Sequence, residues 1–161
     1  MKALYAGSFD PFTNGHLDIV KRTSTLFDEV IIAVSENISK QPLFDVDQRM
    51  QMIIDSLESQ LPNSNVRVLK HKGGLTIDLA EELEVKAMIR GIRSIKDMEY
   101  EMDIASMNKT QNKDIETVFL MSDEQYRFVS SSLIKEVAKF QGNIHGLVPE
   151  NVEKQIKQKN R

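Results

Sequence analysis

The sequence predicts an α/β fold: a doubly wound, five-stranded parallel sheet with helices on both faces. Three observations carry that expectation. Apolar runs of strand length recur five times along the 161 residues. Stretches with helical apolar spacing lie between them. The runs nearest the middle of the chain lack polar alternation, the pattern of strands covered on both faces. Strand alternating with helix in this way defines a parallel sheet rather than a series of hairpins.

The elements follow in order. An apolar run at 3–6 leads into the turn-rich stretch 7–16, G-S-F-D-P-F-T-N-G-H, and then an amphipathic run at 17–27 with Leu17, Val20, Ser24 and Phe27 on one face. A second strand is expected at 30–34. The next helix carries Val46, Met50, Ile53, Leu57 and Leu61, with Asp45 as N-cap, Gln48 three residues on, and Pro62-Asn63 as its stop. Strands at 66–69, 87–89 and 117–121 alternate with helices at 76–83 and 96–107, the first of these opening after Gly73-Gly74. A fifth helix spans 131–140 and ends at Gln141-Gly142, and Val152 and Ile156 mark a last short helix after Pro149. The eight methionines fall mostly at helical core spacing and are expected inside.

Composition bounds the function. A chain of this length fits one domain, 1–161, and buries roughly 70% of its unfolded surface without covalent staples. There is no cysteine, which excludes disulfides and thiolate metal sites and fits a reducing compartment. Met1 leads into strand-like sequence without the basic and apolar regions of a signal peptide. No apolar run nears the roughly 20 residues a membrane helix needs. A cytoplasmic protein without a membrane partner is expected. The formal net charge of -3 argues against general affinity for nucleic acid, so a polyanion must meet a local cluster of positive groups.

In such sheets ligands sit beyond the carboxyl ends of the strands, near the switch in strand order. The residues to inspect are therefore 7–16, 35–40, 70–76, 90–93 and 122–132. The first segment offers Ser8, Phe9 and His16. Asp10-Pro11 and Asn14-Gly15 are turn dipeptides, so the stretch is either a plain turn or an anion-ready helix start. Arg90-Gly91-Ile92-Arg93 places two guanidinium forks at a strand end, suited to a phosphate chain or to pairing with Asp97 or Glu99. Lys40 lies on the same rim. Ser130, Ser131 and Ser132 open a helix as a phosphate nest, as an N-cap, or as both. His71 and His145 have no ligand-like spacing to His16 and read as loop residues. Dinucleotide, P-loop, nucleophile-elbow, H-E-x-x-H and EF-hand patterns are all missing. A metal, if used, would be Mg²⁺ carried by nucleotide phosphates.

These residues resemble a known family. Ser8-Phe9-Asp10-Pro11 through Gly15-His16 is similar to the (T/S)-F-D-P-x-x-x-G-H motif of the nucleotidyltransferase superfamily, itself related to the HIGH motif of class I aminoacyl-tRNA synthetases. Arg90-Gly91-Ile92-Arg93, Asp97, Glu99-Tyr100-Glu101-Met102 and Phe128-Val129-Ser130-Ser131-Ser132-Leu133-Ile134-Lys135-Glu136 look like the phosphopantetheine adenylyltransferase family in particular. His145-Gly146-Leu147-Val148-Pro149-Glu150-Asn151-Val152 resembles that family's C-terminus, and Ser8 keeps the hydroxyl of the commoner Thr.

The resemblance implies a Rossmann-like fold and transfer of AMP from ATP to 4′-phosphopantetheine, giving dephospho-coenzyme A and pyrophosphate. It implies that His16 touches the ATP phosphates and stabilises the transition state. It places Ser8, Phe9, His16, Gly91, Ile92, Arg93, Glu101, Tyr126, Arg127, Phe128, Val129, Ser130, Ser131 and Ser132 at ATP, and Ser8, Lys40, Thr76 and Arg90 at phosphopantetheine. It also implies Mg²⁺ as cofactor, coenzyme A in the same cleft, and a homohexamer of two stacked trimers. Because the nucleophile is already a phosphate oxygen, neither a general base nor a covalent intermediate is needed. Catalysis is then positioning plus charge stabilisation. Competing readings are a nucleotidyltransferase acting on glycerol phosphate or nicotinate mononucleotide, a non-enzymatic nucleotide-binding module, and an RNA-binding protein. The serine run and the R-G-I-R context oppose the first, and the negative charge opposes the last.

Overall fold

A computed structural model describes residues 1–36 and 41–161. The strands are β1 (Lys2–Gly7), β2 (Glu29–Ser35), β3 (Val66–His71), β4 (Ala87–Ile92) and β5 (Glu116–Met121). The helices are α1 (Asn14–Leu26), α2 (Val46–Gln60), α3 (Thr76–Glu82), α4 (Ile95–Gln111), α5 (Ser131–Lys139) and α6 (Glu150–Lys159), with a single 3₁₀ turn at Glu124–Tyr126 before α5. The sheet is parallel throughout, as the apolar runs predict, and its order is β3-β2-β1-β4-β5.

Successive strand residues enter opposite layers, which is the period of two in an extended chain. Tyr5, Ile32 and Ile89 pack with Leu17, Val20 and Ile53 on one face. Leu4, Ile31 and Met88 pack with Ile77, Ala80 and Val85 on the other. A third cluster joins Met52 of α2 and Ile134 and Ala138 of α5 to Val152 and Ile156 of α6.

Four expectations are corrected. Helix α1 begins at Asn14, ahead of the amphipathic run at 17–27, because Thr13 caps it; His16 lies in its first turn, as its place at the expected helix start implies. Strand β4 continues through Arg90 and Gly91 to Ile92, because β5 pairs with it up to Ile92↔Met121. His71 is the last residue of β3 and is buried, not a loop residue, because the parallel ladder with β2 runs on to Ser35↔His71. The methionines are not mainly core: Met52 and Met88 are buried, whereas Met1, Met102, Met107 and Met121 are exposed. The reason is that α4 lies over the sheet margin, where Glu101 is its only buried residue and Ile95 and Tyr100 also face out.

Candidate active site

The strand order reverses between β1 and β4, and a cleft of about 370 Å³ opens at their carboxyl ends. Three pieces of chain supply most of its wall, and Ser122 after β5 adds to it. The β1–α1 loop supplies Ser8, Phe9, Thr13 and His16 over the floor residue Tyr5; β4 and the start of α4 supply Arg90, Gly91, Arg93, Asp97 and Glu101; and the start of α5 supplies Val129, Ser130, Ser131 and Ser132.

The loop's shape follows from Phe9. Its backbone is left-handed at φ 49°, yet its ring is buried. For a non-glycine residue that conformation costs about 1–2 kcal/mol, offset here by packing against Tyr5, Phe12 and His16. Gly7 makes room, since a Cβ there would lie 3.2 Å from the Phe9 ring.

His16 is held by a reciprocal cap. Its own N–H donates to Thr13 Oγ1 at 3.2 Å, and the Thr13 N–H donates to His16 Nδ1 at 3.0 Å. The ring stacks on Phe12 with a centroid separation of 5.6 Å. Burial, together with the Arg93 and Arg90 charges, lowers its pKa to about 3, so the imidazole is neutral near pH 7. Because Nδ1 accepts from Thr13, the ring's one proton sits on Nε2. The result is a fixed neutral donor.

The cations facing it are also held. Arg90 Nε and Nη2 donate to Glu101 at 2.6 and 2.7 Å, and Nη1 donates to the Ala6 carbonyl at 3.1 Å. Of the two pairings the sequence offers these arginines, the one with Asp97 is made by Arg93, whose Nε lies 3.5 Å from it, while Arg90 is taken by Glu101. Arg93 Nη1 donates to the Val129 carbonyl at 3.2 Å, tying β4 to α5. The Ser130 hydroxyl accepts from Leu133 N–H at 3.1 Å and the Ser131 hydroxyl donates to the Pro11 carbonyl at 2.8 Å. Two of the three serine hydroxyls thus shape the backbone, and the helix N-terminus itself presents N–H groups to an anion.

Ser8, Phe9, His16, Arg90, Gly91, Arg93, Glu101 and Val129 to Ser132 all line the one cleft. Thr76 lines an adjoining cavity of about 290 Å³ with Gly74, Leu75, Met88, Ile104 and Ala105, and Arg90 and Glu101 border both spaces. Ile92 is buried, Phe128 is exposed, Arg127 Nε donates to the Arg93 carbonyl at 3.2 Å, and Tyr126 lines a separate cavity behind α1. Lys40 lies outside the described residues. Sequence reasoning passed over Tyr5 and Thr13; the Thr13-x-x-His16 spacing carried a capping signal for the latter. Among the described residues no group of three or more His, Cys, Asp or Glu could hold a metal.

A switch-point cleft with paired arginines, a neutral imidazole donor and a helix N-terminus defines a nucleotidyltransferase-type site. The cytidylyltransferase-like family model matches residues 4–137. A crystal structure assigned as a nicotinate-nucleotide adenylyltransferase from Vibrio parahaemolyticus superposes with a TM-score of 0.76, covering 98% of this chain and 91% of that one at 14% identity, a likeness of fold. Phosphopantetheine adenylyltransferases are similar over nearly the whole chain. The protein from Prochlorococcus marinus (strain MIT 9301) is 49% identical over 157 residues, 98% of each chain. That from Desulfatibacillum aliphaticivorans is 48% identical over 98% of this chain and 87% of its own. That from Dictyoglomus turgidum is 48% identical over 99% and 97%. This chain belongs to the phosphopantetheine adenylyltransferase family.

Proposed function

We propose that this protein moves AMP from ATP to 4′-phosphopantetheine, forming dephospho-coenzyme A and pyrophosphate in coenzyme A synthesis. The observation that carries the reading is a pair of neighbouring spaces that share Arg90 and Glu101 as lining. One holds a neutral donor, Arg93 and a helix N-terminus, suited to a triphosphate. The other is smaller and lined by Leu75, Thr76, Met88 and Ile104, suited to a partly apolar arm whose phosphate rests at Arg90.

The chemistry is electrostatic. Two polyanions must approach in line at the α-phosphorus, and the attacking phosphate oxygen is already deprotonated. His16 Nε2–H donates to the α-phosphoryl oxygen as charge builds there. Arg93 and the first N–H groups of α5 offset charge on the departing pyrophosphate, and Arg90 steers the acceptor phosphate, with Lys40 in the same role. Ser8 reaches both substrates. Groups fixed before reaction need no reorganisation, which is where their advantage over water lies. We propose that Mg²⁺ enters as MgATP, bound to the phosphates, because the cleft's own carboxylates Asp97 and Glu101 are committed to arginines.

The assembly we propose is a homohexamer of two stacked trimers, with coenzyme A able to occupy the same cleft. The exposed Ile95, Tyr100, Met102 and Met107 of α4 support burial of that helix between subunits. No helix among the described residues is long and apolar enough to cross a membrane, and we propose a cytoplasmic location. The test is ATP, Mg²⁺ and phosphopantetheine, read out as pyrophosphate and dephospho-coenzyme A. Faster pyrophosphate release with nicotinate mononucleotide or glycerol phosphate would overturn the assignment. ATP binding without pyrophosphate release for any acceptor would make the protein a binding module.

A further inference from the structure

Arg49, on α2, is the largest fully buried side chain among the described residues, 1% exposed, and it lies outside the cleft. It forms no ion pair within 4.0 Å among them; its guanidinium is spent on backbone carbonyls. Nε donates to Phe44 O at 3.0 Å, and Nη1 donates to Ser8 O at 2.7 Å and Ser35 O at 2.8 Å. One planar group thus joins the residue after β1, the last residue of β2 and the approach to α2. Asp10, also 1% exposed, completes the arrangement: Leu43 N–H and Phe44 N–H donate to it at 2.8 and 3.0 Å, and Lys135 Nζ on α5 lies 3.4 Å away. The loop 8–13 is therefore pinned, through a carbonyl and a carboxylate, to the end of β2, the approach to α2 and α5.

A buried cation is costly, and well-packed apolar side chains in its place are often neutral or stabilising. Stability alone is thus a weak reason for a guanidinium here. Geometry is a stronger one, because the fork fixes three carbonyls at once, which a point charge or an apolar group does not do.

We propose that Arg49 is a positioning residue for the transfer step: by holding the Ser8 carbonyl it fixes the Ser8 side chain and the loop 8–13 against the ends of β2 and α2. The inference rests on the adenylyl-transfer reading given above.

The test is a double-mutant cycle of Arg49→Lys with Ser8→Ala, read as kcat and KM, together with amide hydrogen exchange on the substrate-free protein. Arg49→Lys is expected to lower kcat about tenfold to hundredfold, the scale of a small misplacement of reacting groups, with KM for both substrates changed less than about threefold. On the Ser8→Ala background the same replacement should lower kcat by a clearly smaller factor than in the wild type, since the Ser8 side chain it positions is gone. Exchange should quicken at least about tenfold in the amides of Phe9, Asp10, Phe12 and Thr13 and stay unchanged in β4 and β5. Equal kcat losses on both backgrounds, or exchange that quickens uniformly, would overturn the proposal. Asp10→Asn, nearly isosteric, should show the same pattern if Arg49→Lys does not fold. Failure of both variants to fold would make the pair a stability element and overturn the proposal as well. If the wild-type protein makes no product from phosphopantetheine, the transfer reading fails and the exchange comparison alone decides the positioning role.

Discussion

Replacing His16 by alanine tests the donor proposed for the transfer step. The imidazole is fixed before substrate arrives, by the Thr13 N–H at 3.0 Å and by stacking on Phe12. It is neutral, with its proton on Nε2, so it offers one preorganised donor and no charge for ground-state attraction. Removing such a donor costs about 3–4 kcal/mol of barrier, or roughly 10²–10³ in kcat. Substrate binding should change far less, because Arg90, Arg93 and the α5 N-terminus remain to hold the phosphates. The loss also frees the Thr13 N–H, worth about 1 kcal/mol of stability, which lowers the Tm of a domain this size by about 2–4 °C. Steady-state pyrophosphate release gives kcat and KM, calorimetric titration with ATP gives binding, and a thermal melt gives the third quantity. A kcat loss below tenfold, only about 1.4 kcal/mol, would refute the donor role. So would a rise in KM large enough to account for the whole loss in kcat/KM.

His16 should also shape the acid limb of stability: its folded pKa of about 3 lies below the unfolded value of about 6.5. Between those values the unfolded chain binds the extra proton, so stability is fully present above pH 6.5, falls as pH drops through the window, and falls less in His16→Ala; ¹⁵N shifts showing a protonated ring at pH 6 would contradict this. Glu101→Gln breaks a two-pronged, charge-assisted pair with Arg90, and should raise KM for phosphopantetheine about tenfold or more, given about 1.5–3 kcal/mol for hydrogen bonds to charged groups. Filling the second cavity with Ala105→Phe should raise KM for phosphopantetheine while leaving ATP affinity unchanged, and equal losses for both substrates would count against two distinct spaces. Thr13→Val removes the N-cap of α1 and should cost about 1 kcal/mol in a melt, with a kcat loss that follows from the loosened His16 ring.

What the sequence determined by itself was the part encoded locally. Apolar periodicity has a short range, so five strands, the intervening helices and the parallel class were legible. The rule that ligands gather at strand ends then turned that pattern into a list of rim segments containing Ser8, His16, Arg90, Arg93 and Ser130 to Ser132. The family resemblance rested on the same short motifs.

The tertiary structure decided what depends on residues far apart in the chain. Both arginines were expected at the rim, but which carboxylate each meets, Glu101 for Arg90 and Asp97 for Arg93, follows from how α4 lies beside β4. The exposure of Met102 and Met107 follows from the same placement, since helical spacing says which residues share a face but not what covers that face. Tyr126 and the serine run are neighbours in sequence, yet the 3₁₀ turn at Glu124–Tyr126 sends them to different cavities. The bond from Arg49 to Ser8 spans 41 residues and has no local signature. A guanidinium reads as a surface charge in a linear pattern, and only chain crossings at the end of a parallel sheet bring three carbonyls within its reach.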